Sequence, residues 1–202
     1  MNSLPQDLAA TIRAWNAKGW SPATSTNYSF RLENIPDEIH VSRSGIDKAH
    51  FSENDFMLVD LQGKPLPEFA SVRPSAETLI HCALYDLFPE THCIVHSHSV
   101  YSVLHSAVEK DRVRIEGYEV LKGFDGISTH ETSVECPIFD NTQDMVAFSE
   151  LLKAEKYRLT IPAFIMRKHG TYAWGKNLFE AKRHLETIEY LLECEWKLRK
   201  HS

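Results

Sequence analysis

The sequence lacks the features that indicate secretion, membrane insertion or nucleic-acid binding. Its four cysteines show no CxxC spacing, so neither a disulfide framework nor a cysteine-based zinc site is predicted. No apolar run approaches the roughly 20 residues that a membrane-spanning helix requires, and the first residues lack the charged and apolar regions of a signal peptide. The net charge of -6, from 22 basic and 28 acidic residues, argues against a nucleic-acid partner. We therefore expect a cytoplasmic protein with reduced cysteines.

The residues that are present have the composition of a globular domain. The chain of 202 residues is 43% hydrophobic and 25% charged, which is enough for one good-sized core. No internal repeat, low-complexity segment or linker interrupts it, so a single domain over residues 1–202 is predicted. Helical and strand patterns alternate irregularly, with hairpin-like connections. This pattern predicts an α/β fold in which a central, mainly antiparallel sheet is flanked by helices.

Several predicted elements carry polar residues of interest. A turn is predicted over residues 34–37, between two short strands, and residues 114–120 are predicted to form a strand with Glu119 near its end. A helix is expected after Arg73, with Ser75 as its N-cap.

Apolar residues at helical spacing predict two further helices. The first is an amphipathic helix that carries Val100, Val103, Leu104 and Ala107. The second runs from about residue 177 to residue 197, and its charged residues, Glu189 among them, are predicted to form a solvated face.

The histidines provide the first indication of chemistry. His96 and His98 follow an apolar run, and alternate side chains of a strand share one face, so the two imidazoles can point to one spot. They could form half of a tetrahedral zinc site, or they could be ordinary polar residues at a strand end. His169, at the end of another predicted strand, is the natural third ligand. Three imidazoles leave one zinc position open, which is the catalytic pattern.

Two loops rich in hydroxylated residues are candidate anion sites. The first covers residues 20–29, and the second covers residues 42–48 and contains a glycine and two cations. Either could instead be an ordinary polar loop. Glu77 and Glu119 are candidate acid/base carboxylates for an open zinc site. Alternatively, Glu77 interacts with a helix dipole in the first turn, and Glu119 is a solvated residue at a strand end.

Five motifs in order resemble the class II aldolase/adducin head family over residues 8–198. They are Asn27-Tyr28-Ser29, Ser42-Arg43-Ser44-Gly45, Arg73-Pro74-Ser75-Ala76-Glu77, His96-Ser97-His98 and Arg167-Lys168-His169-Gly170. The resemblance implies a mostly antiparallel sheet covered by helices, assembled as a homotetramer with active sites near subunit interfaces. It also implies a small sugar-phosphate substrate.

The resemblance further implies roles for individual residues. His96, His98 and His169 would bind one Zn²⁺ per subunit. Asn27, Ser44, Gly45 and Ser75 would bind the substrate phosphate, with Lys48 as an additional contributor. Ala76 stands where the family has a second hydroxylated residue, so the phosphate site loses one donor.

Within the family, the chain most resembles the dehydratases of methionine salvage. The segments that carry this likeness include residues 41–46, 119–123 and 169–175. Glu119 matches the acid/base carboxylate of those dehydratases, whereas Glu77 matches the proton-transfer carboxylate of the family's aldolases. A sugar-phosphate aldolase or 4-epimerase is therefore the alternative prediction. A non-enzymatic scaffold, like the adducin heads that have lost the metal histidines, is a more remote one.

Overall fold

Eight strands form one sheet in the computed structural model, which describes residues 3–199. Five α-helices and several short 3₁₀ helices surround it. The strands are β1 (Tyr28–Leu32), β2 (Ile35–Ser42), β3 (Phe56–Val59), β4 (Cys93–Ser97), β5 (Arg112–Glu116), β6 (Ser133–Phe139), β7 (Ala163–Met166) and β8 (Gly170–Gly175). The helices are α1 (Leu4–Ala17), α2 (Thr78–Leu87), α3 (Val100–Val108), α4 (Met145–Ala154) and α5 (Leu178–Arg199).

The strand order is β3-β2-β1-β4-β8-β7-β6-β5, and every neighbouring pair except β6 and β7 is antiparallel. This confirms the predicted α/β fold with a mainly antiparallel sheet. Strand β4 lies at the centre, between β1 and β8. The single-domain prediction extends to residues 1–2 and 200–202, which lie outside the described residues.

Apolar side chains fill both faces of the sheet. Successive residues of β4 alternate between the two cores: Val95 packs in the core that contains residues of α1 and α5, and Ile94 packs in the core that contains residues of α2 and α4. Within residues 3–199, no helix has the length and apolarity that crossing a membrane would require.

Two predicted boundaries near the site are wrong. The strand predicted over residues 114–120 is β5 and ends at Glu116, because Gly117 adopts a left-handed conformation (φ +80°) that turns the chain. Glu119 instead opens a 3₁₀ helix, Glu119–Gly123. Helix α2 begins at Thr78, and Glu77 occupies the N-cap position predicted for Ser75. The Ser75 carbonyl accepts from the Thr78 N–H in the turn that precedes the helix.

The predicted turn over residues 34–37 is also misplaced. Strand β2 already begins at Ile35, whose pairing with Leu32 in β1 leaves a two-residue hairpin turn.

Helix α3 forms as predicted, but its polar side faces the protein interior. Ser102, His105 and Ser106 are buried, and each bonds to a backbone carbonyl: of Ser99, Leu192 and Val103, respectively. The apolar side faces outward instead, and Val100 is 64% exposed. Burial is possible because each of these three side chains has a hydrogen-bond acceptor inside the fold for one of its polar atoms.

Candidate metal centre

The sheet brings the three histidines together. His96 lies in β4, His98 follows the end of that strand, and His169 lies between β7 and β8. Pairing of β4 with β8 places Ser97 opposite Thr171, so the two histidine-bearing segments are adjacent. The Nε2 atom of His96 lies 2.8 Å from that of His98 and 3.4 Å from that of His169.

The protonation of the cluster fits a metal ion. His96 donates its Nδ1–H to the Thr171 carbonyl at 2.9 Å, so its Nε2 presents a lone pair to the other two rings. Burial, the largest cause, lowers the pKa of His98 to about 3 and also lowers the pKa of His169, so the rings are neutral. One ligand atom from each ring lies within 4.8 Å of the others. Three neutral imidazole nitrogens facing one point suit Zn²⁺ with one open coordination position.

Backbone geometry holds His169 in this place. Lys168, just before it, has a left-handed conformation (φ +53°), which is uncommon for a residue other than glycine and is typical of functional sites. Gly170, just after it, lies so close to β4 that a Cβ atom there would collide with the carbonyl oxygen of Ser97. This close approach explains why a glycine follows His169: any larger residue at position 170 would clash with β4.

A buried carboxylate from α5 fixes the residues on either side of His98. Glu189 is 2% exposed and accepts hydrogen bonds from the hydroxyls of Ser97 and Ser99. Burial raises the pKa of Glu189. The prediction of a solvated face was wrong for this residue. Glu189 follows the core residue Leu185 by one helical turn. This spacing puts both residues on the same side of α5 and was the sequence signal that indicated a buried position.

Glu77 lies beside the histidines. Its Oε1 atom is 3.3 Å from His169 Nε2, and its Oε2 atom is 4.0 Å from His96 Nε2. The same Oε2 atom accepts from the side-chain amide of Asn27 and from the Tyr172 hydroxyl, the latter at 3.1 Å. The carboxylate is thus oriented by two donors within reach of the candidate zinc position.

A chain of buried hydrogen bonds continues away from Glu77. Because Asn27 donates its amide N–H to Glu77, its carbonyl oxygen faces His81 and accepts from His81 Nε2. The Nδ1 atom of His81 must then accept from the hydroxyl of Ser29, at 2.7 Å, and Ser29 accepts from Tyr85 at 2.9 Å. Burial lowers the pKa of His81 to about 3, so the ring is neutral, as this arrangement requires. No sequence pattern indicated His81, which lies in α2, one helical turn after Glu77.

The candidate phosphate residues lie on the Glu77 side of the histidines. The Asn27 amide is 3.4 Å from the Ser75 hydroxyl. Ser44 joins the same region because its N–H donates to the Arg73 carbonyl. Gly45 follows with a left-handed backbone (φ +77°). The structure therefore places both predicted anion loops next to the segment that carries Ser75.

Lys48 connects the two loops. Its Nζ atom donates to the carbonyl of Thr24 at 3.2 Å and to that of Ile46 at 2.9 Å. The side chain is 1% exposed, and burial lowers the pKa of Lys48 to about 8.

Glu119 is placed differently from every other candidate. Its side chain is 69% exposed, and its polar partners are Lys122 and His130, the latter at 3.4 Å. The hydrogen bond from Lys122, as the main cause, lowers the pKa of Glu119. Among residues 3–199, neither partner belongs to the histidine cluster, so the chain does not by itself bring Glu119 to the centre.

A family model for the class II aldolase and adducin N-terminal domain matches residues 6–196. A methylthioribulose-1-phosphate dehydratase of a Picosynechococcus species is 50% identical over 190 residues, covering 93% of this chain and 89% of that protein. One from Xanthomonas campestris pv. campestris is 44% identical over 204 residues, covering 99% of this chain and 91% of that protein. A solved L-fuculose 1-phosphate aldolase superposes with a TM-score of 0.79 at 18% identity, covering 100% of this chain and 90% of that one.

Proposed function

We propose that this chain, which belongs to the class II aldolase and adducin N-terminal domain family, is a hydro-lyase that dehydrates 5-methylthioribulose 1-phosphate. The product would be 2,3-diketo-5-methylthiopentyl 1-phosphate, an intermediate of methionine salvage. The observation that carries the proposal is the cluster of three neutral histidines beside a phosphate-type loop pair, in a chain half identical to a dehydratase along most of its length. Cytoplasmic residence stays a prediction.

Zinc held by His96, His98 and His169 would supply a Lewis acid that polarises the substrate ketone and makes the adjacent C–H acidic. Asn27, Ser44, Gly45 and Ser75 bind the phosphate, with Lys48 as an additional contributor, and fix the ketose in one orientation. Glu119 removes the proton from C3. The C4–O bond then breaks, and the hydroxyl takes a proton from the same carboxylate and leaves as water. The remaining enol tautomerises to the diketone, so only water is lost.

Glu119 would act on the centre of a neighbouring copy in a homotetramer. Two features support this arrangement: the carboxylate is exposed, and Val120 next to it lines a surface groove of 860 Å³ along α5 with Phe179 and Tyr190. These two aromatic residues are 70% and 52% exposed. Large exposed apolar side chains of this kind are typical of subunit contacts.

A substrate panel tests the reaction. The purified protein should release one water from 5-methylthioribulose 1-phosphate, detected by the absorbance of the diketone or by mass. Fuculose 1-phosphate and ribulose 5-phosphate should give no retro-aldol or epimerised product. Because Glu77 lies beside the histidines as an aldolase base would, cleavage of the C3–C4 bond in any of the three would instead favour the aldolase alternative.

Metal analysis tests the zinc site. Protein purified without chelators should contain about one zinc per chain, and His96→Ala should lose both the metal and the activity. Protein that contains no zinc and turns over nothing would favour the scaffold alternative.

A further inference from the structure

We propose that a groove along α3 binds the methylthio group of the substrate and thereby selects it over ketose phosphates with a terminal hydroxyl. The inference rests on the proposed function and concerns the half of the substrate that carries no phosphate. The groove, which we call the α3 groove, has a volume of 530 Å³. It is lined by Pro22, His98, Val100, Val103, Leu104, Asn141, Lys168 and His169.

The α3 groove begins at the metal centre, because His98 and His169 form part of its wall. Its apolar wall exists because α3 has its polar side buried. Val103 and Leu104 are only half-buried, and Val100 is 64% exposed. A stripe of aliphatic residues is therefore open next to two candidate zinc ligands, where an apolar part of a substrate can be removed from water.

The orientation of the substrate follows from the position of the phosphate residues. Asn27 and Ser75 contact Glu77, which lies beside His169 and His96. Neither Asn27, Ser75 nor Glu77 lines the α3 groove. A ketose phosphate that spans the centre from this side thus directs its far end, C5, into the groove.

The chemistry of the wall matches a thioether rather than a hydroxyl. A methylthio group gains from contact with Val103 and Leu104, whereas a hydroxyl in the same place loses water without gaining a hydrogen-bond partner from either side chain. An apolar pocket discriminates by about 10–200-fold between substrates that differ by a single methylene. We expect a preference in this range for 5-methylthioribulose 1-phosphate over ribulose 1-phosphate.

The substitution Val103→Thr tests the subsite, since it keeps the shape of the side chain and adds one hydroxyl. It should lower kcat/KM for the methylthio substrate by about 5–10-fold and leave that for ribulose 1-phosphate within about twofold. Val108→Thr is the matched control, because this exposed valine on the same helix does not line the groove, and it should change neither value. An equal loss on both substrates in Val103→Thr would overturn the inference.

Binding separates this inference from the proposed function. Calorimetry with the two ketose phosphates, in zinc-loaded protein with and without Val103→Thr, reports the same preference without turnover. If wild-type protein binds the methylthio compound more tightly and Val103→Thr removes that preference, the subsite stands even where no water is released. Equal binding of both compounds by the wild-type protein would refute the subsite, whatever reaction is observed.

A separate observation assigns Glu189 as a positioning residue for the metal ligands. Its two carboxylate oxygens are bonded to the hydroxyls of Ser97 and Ser99, on either side of His98, and it lies on α5 rather than on the strand it holds. Because Ser97 and Ser99 are both held, the backbone of His98 between them is restricted, and so is the position of its imidazole. Groups that orient metal ligands in this way typically contribute about 10–100-fold in metal affinity.

Zinc release tests this role independently of activity. Transfer of zinc to a colorimetric chelator should be about 10-fold or more faster in Glu189→Ala, and within about threefold of wild type in Glu189→Gln, whose amide can still bond both hydroxyls. Glu186→Ala, on the same helix but bonded to Trp15 and Lys18 rather than to the histidine segment, should release zinc at the wild-type rate. Wild-type release from Glu189→Ala, or equally fast release from both Glu189 variants, would overturn the assignment.

Discussion

The two candidate carboxylates differ in everything except their chemistry. Glu77 lies in a wall built by the chain itself, 3.3 Å from His169 and bonded to Asn27 and Tyr172. Glu119 lies on a surface turn, 69% exposed, with partners that lower its pKa. One carboxylate is pre-organised by the fold of a single chain. The other lies on the surface away from the histidines, and in the proposed function it would act on the centre of a second copy.

This difference indicates how a shared scaffold can serve different reactions. The candidate phosphate residues Asn27 and Ser75 are linked to Glu77 by hydrogen bonds, and Glu77 lies 3.3 Å from His169, so these residues form one connected unit. The turn that contains Glu119 packs on α5 instead, where Gly123 is so close to Thr187 that a Cβ would collide with its side chain. The carboxylate proposed for dehydration can thus change without disturbing the candidate zinc site.

The largest effect should come from removing the exposed carboxylate. Glu119→Gln should lower kcat for the methylthio substrate by about 10³-fold while keeping one zinc per chain, because an amide cannot transfer the proton. The matched control is Glu116→Gln, three residues earlier, where an exposed carboxylate pairs with Arg114. That variant should retain wild-type activity. Normal turnover by Glu119→Gln would remove this residue from the mechanism.

Mixing two inactive variants tests whether the sites are shared between copies. In a cyclic oligomer reassembled from equal amounts of Glu119→Gln and His96→Ala chains, a site works only when its own chain keeps the histidine and its neighbour keeps Glu119. Random assembly should then restore about a quarter of wild-type activity. If each site used its own Glu119, mixing would restore nothing above the parent variants.

The mixed oligomers can be checked for assembly by tagging one variant and measuring zinc and mass in the purified pool. Co-purification of both chains without recovered activity would place Glu119 in its own chain's site or outside the reaction.

Sequence alone could predict most of what a single chain builds. The three-histidine cluster could be predicted from the HxH spacing and from His169 at a strand end, because alternation along a strand and pairing between strands follow a regular geometry. Glu189 was mispredicted because the other charged residues on α5 outweighed its single core-side position. His81 was missed because its role depends on the direction of the Asn27 amide, which no spacing encodes.

Helix α3 shows another limit of sequence patterns. Its apolar stripe, from Val100 to Ala107, predicts an amphipathic helix correctly, yet which side faces the core depends on the partners available to Ser102, His105 and Ser106. Those partners come partly from α5, far along the chain. The environment of Glu119 is even harder to predict from sequence patterns, because in the proposed function a neighbouring copy would determine it.

Removing the pre-organised carboxylate should have a smaller effect on the reaction than removing the exposed one. Glu77→Gln loses the negative charge next to the histidines, whereas its amide oxygen can still accept from both Asn27 and Tyr172, which bond a single oxygen of the carboxylate. We expect zinc affinity to fall about 10-fold, measured by competition with a chelator. In the zinc-loaded protein, kcat should fall less than in Glu119→Gln. A larger fall than in Glu119→Gln would make Glu77 the base and favour the aldolase alternative.

The smallest effect concerns the ammonium group of Lys48, which joins the two candidate phosphate loops. Burial lowers the pKa of Lys48 to about 8, so its charge is complete near pH 7 and is lost as the pH rises through 8. KM for the phosphate substrate should therefore rise a few-fold between pH 7 and pH 9, and Lys48→Met should have a raised KM without this rise. Lys153→Met, which removes a surface ion pair with Asp86, should keep the wild-type profile. A flat wild-type profile would exclude electrostatic help from Lys48.

Over the same pH range, the fold should become more stable while substrate binding becomes weaker. An unfolded chain keeps the Lys48 proton up to its ordinary pKa of 10.5, so between pH 8 and 10.5 the unfolded state binds more protons than the folded state. The free energy of unfolding should then rise with pH through this residue, because the cost of burying its charge disappears. Comparing denaturant unfolding of wild type and Lys48→Met at pH 7 and pH 9 isolates that contribution. If KM and the free energy of unfolding both rise between pH 7 and pH 9 in the wild type, and neither changes with pH in Lys48→Met, both effects come from the buried ammonium group.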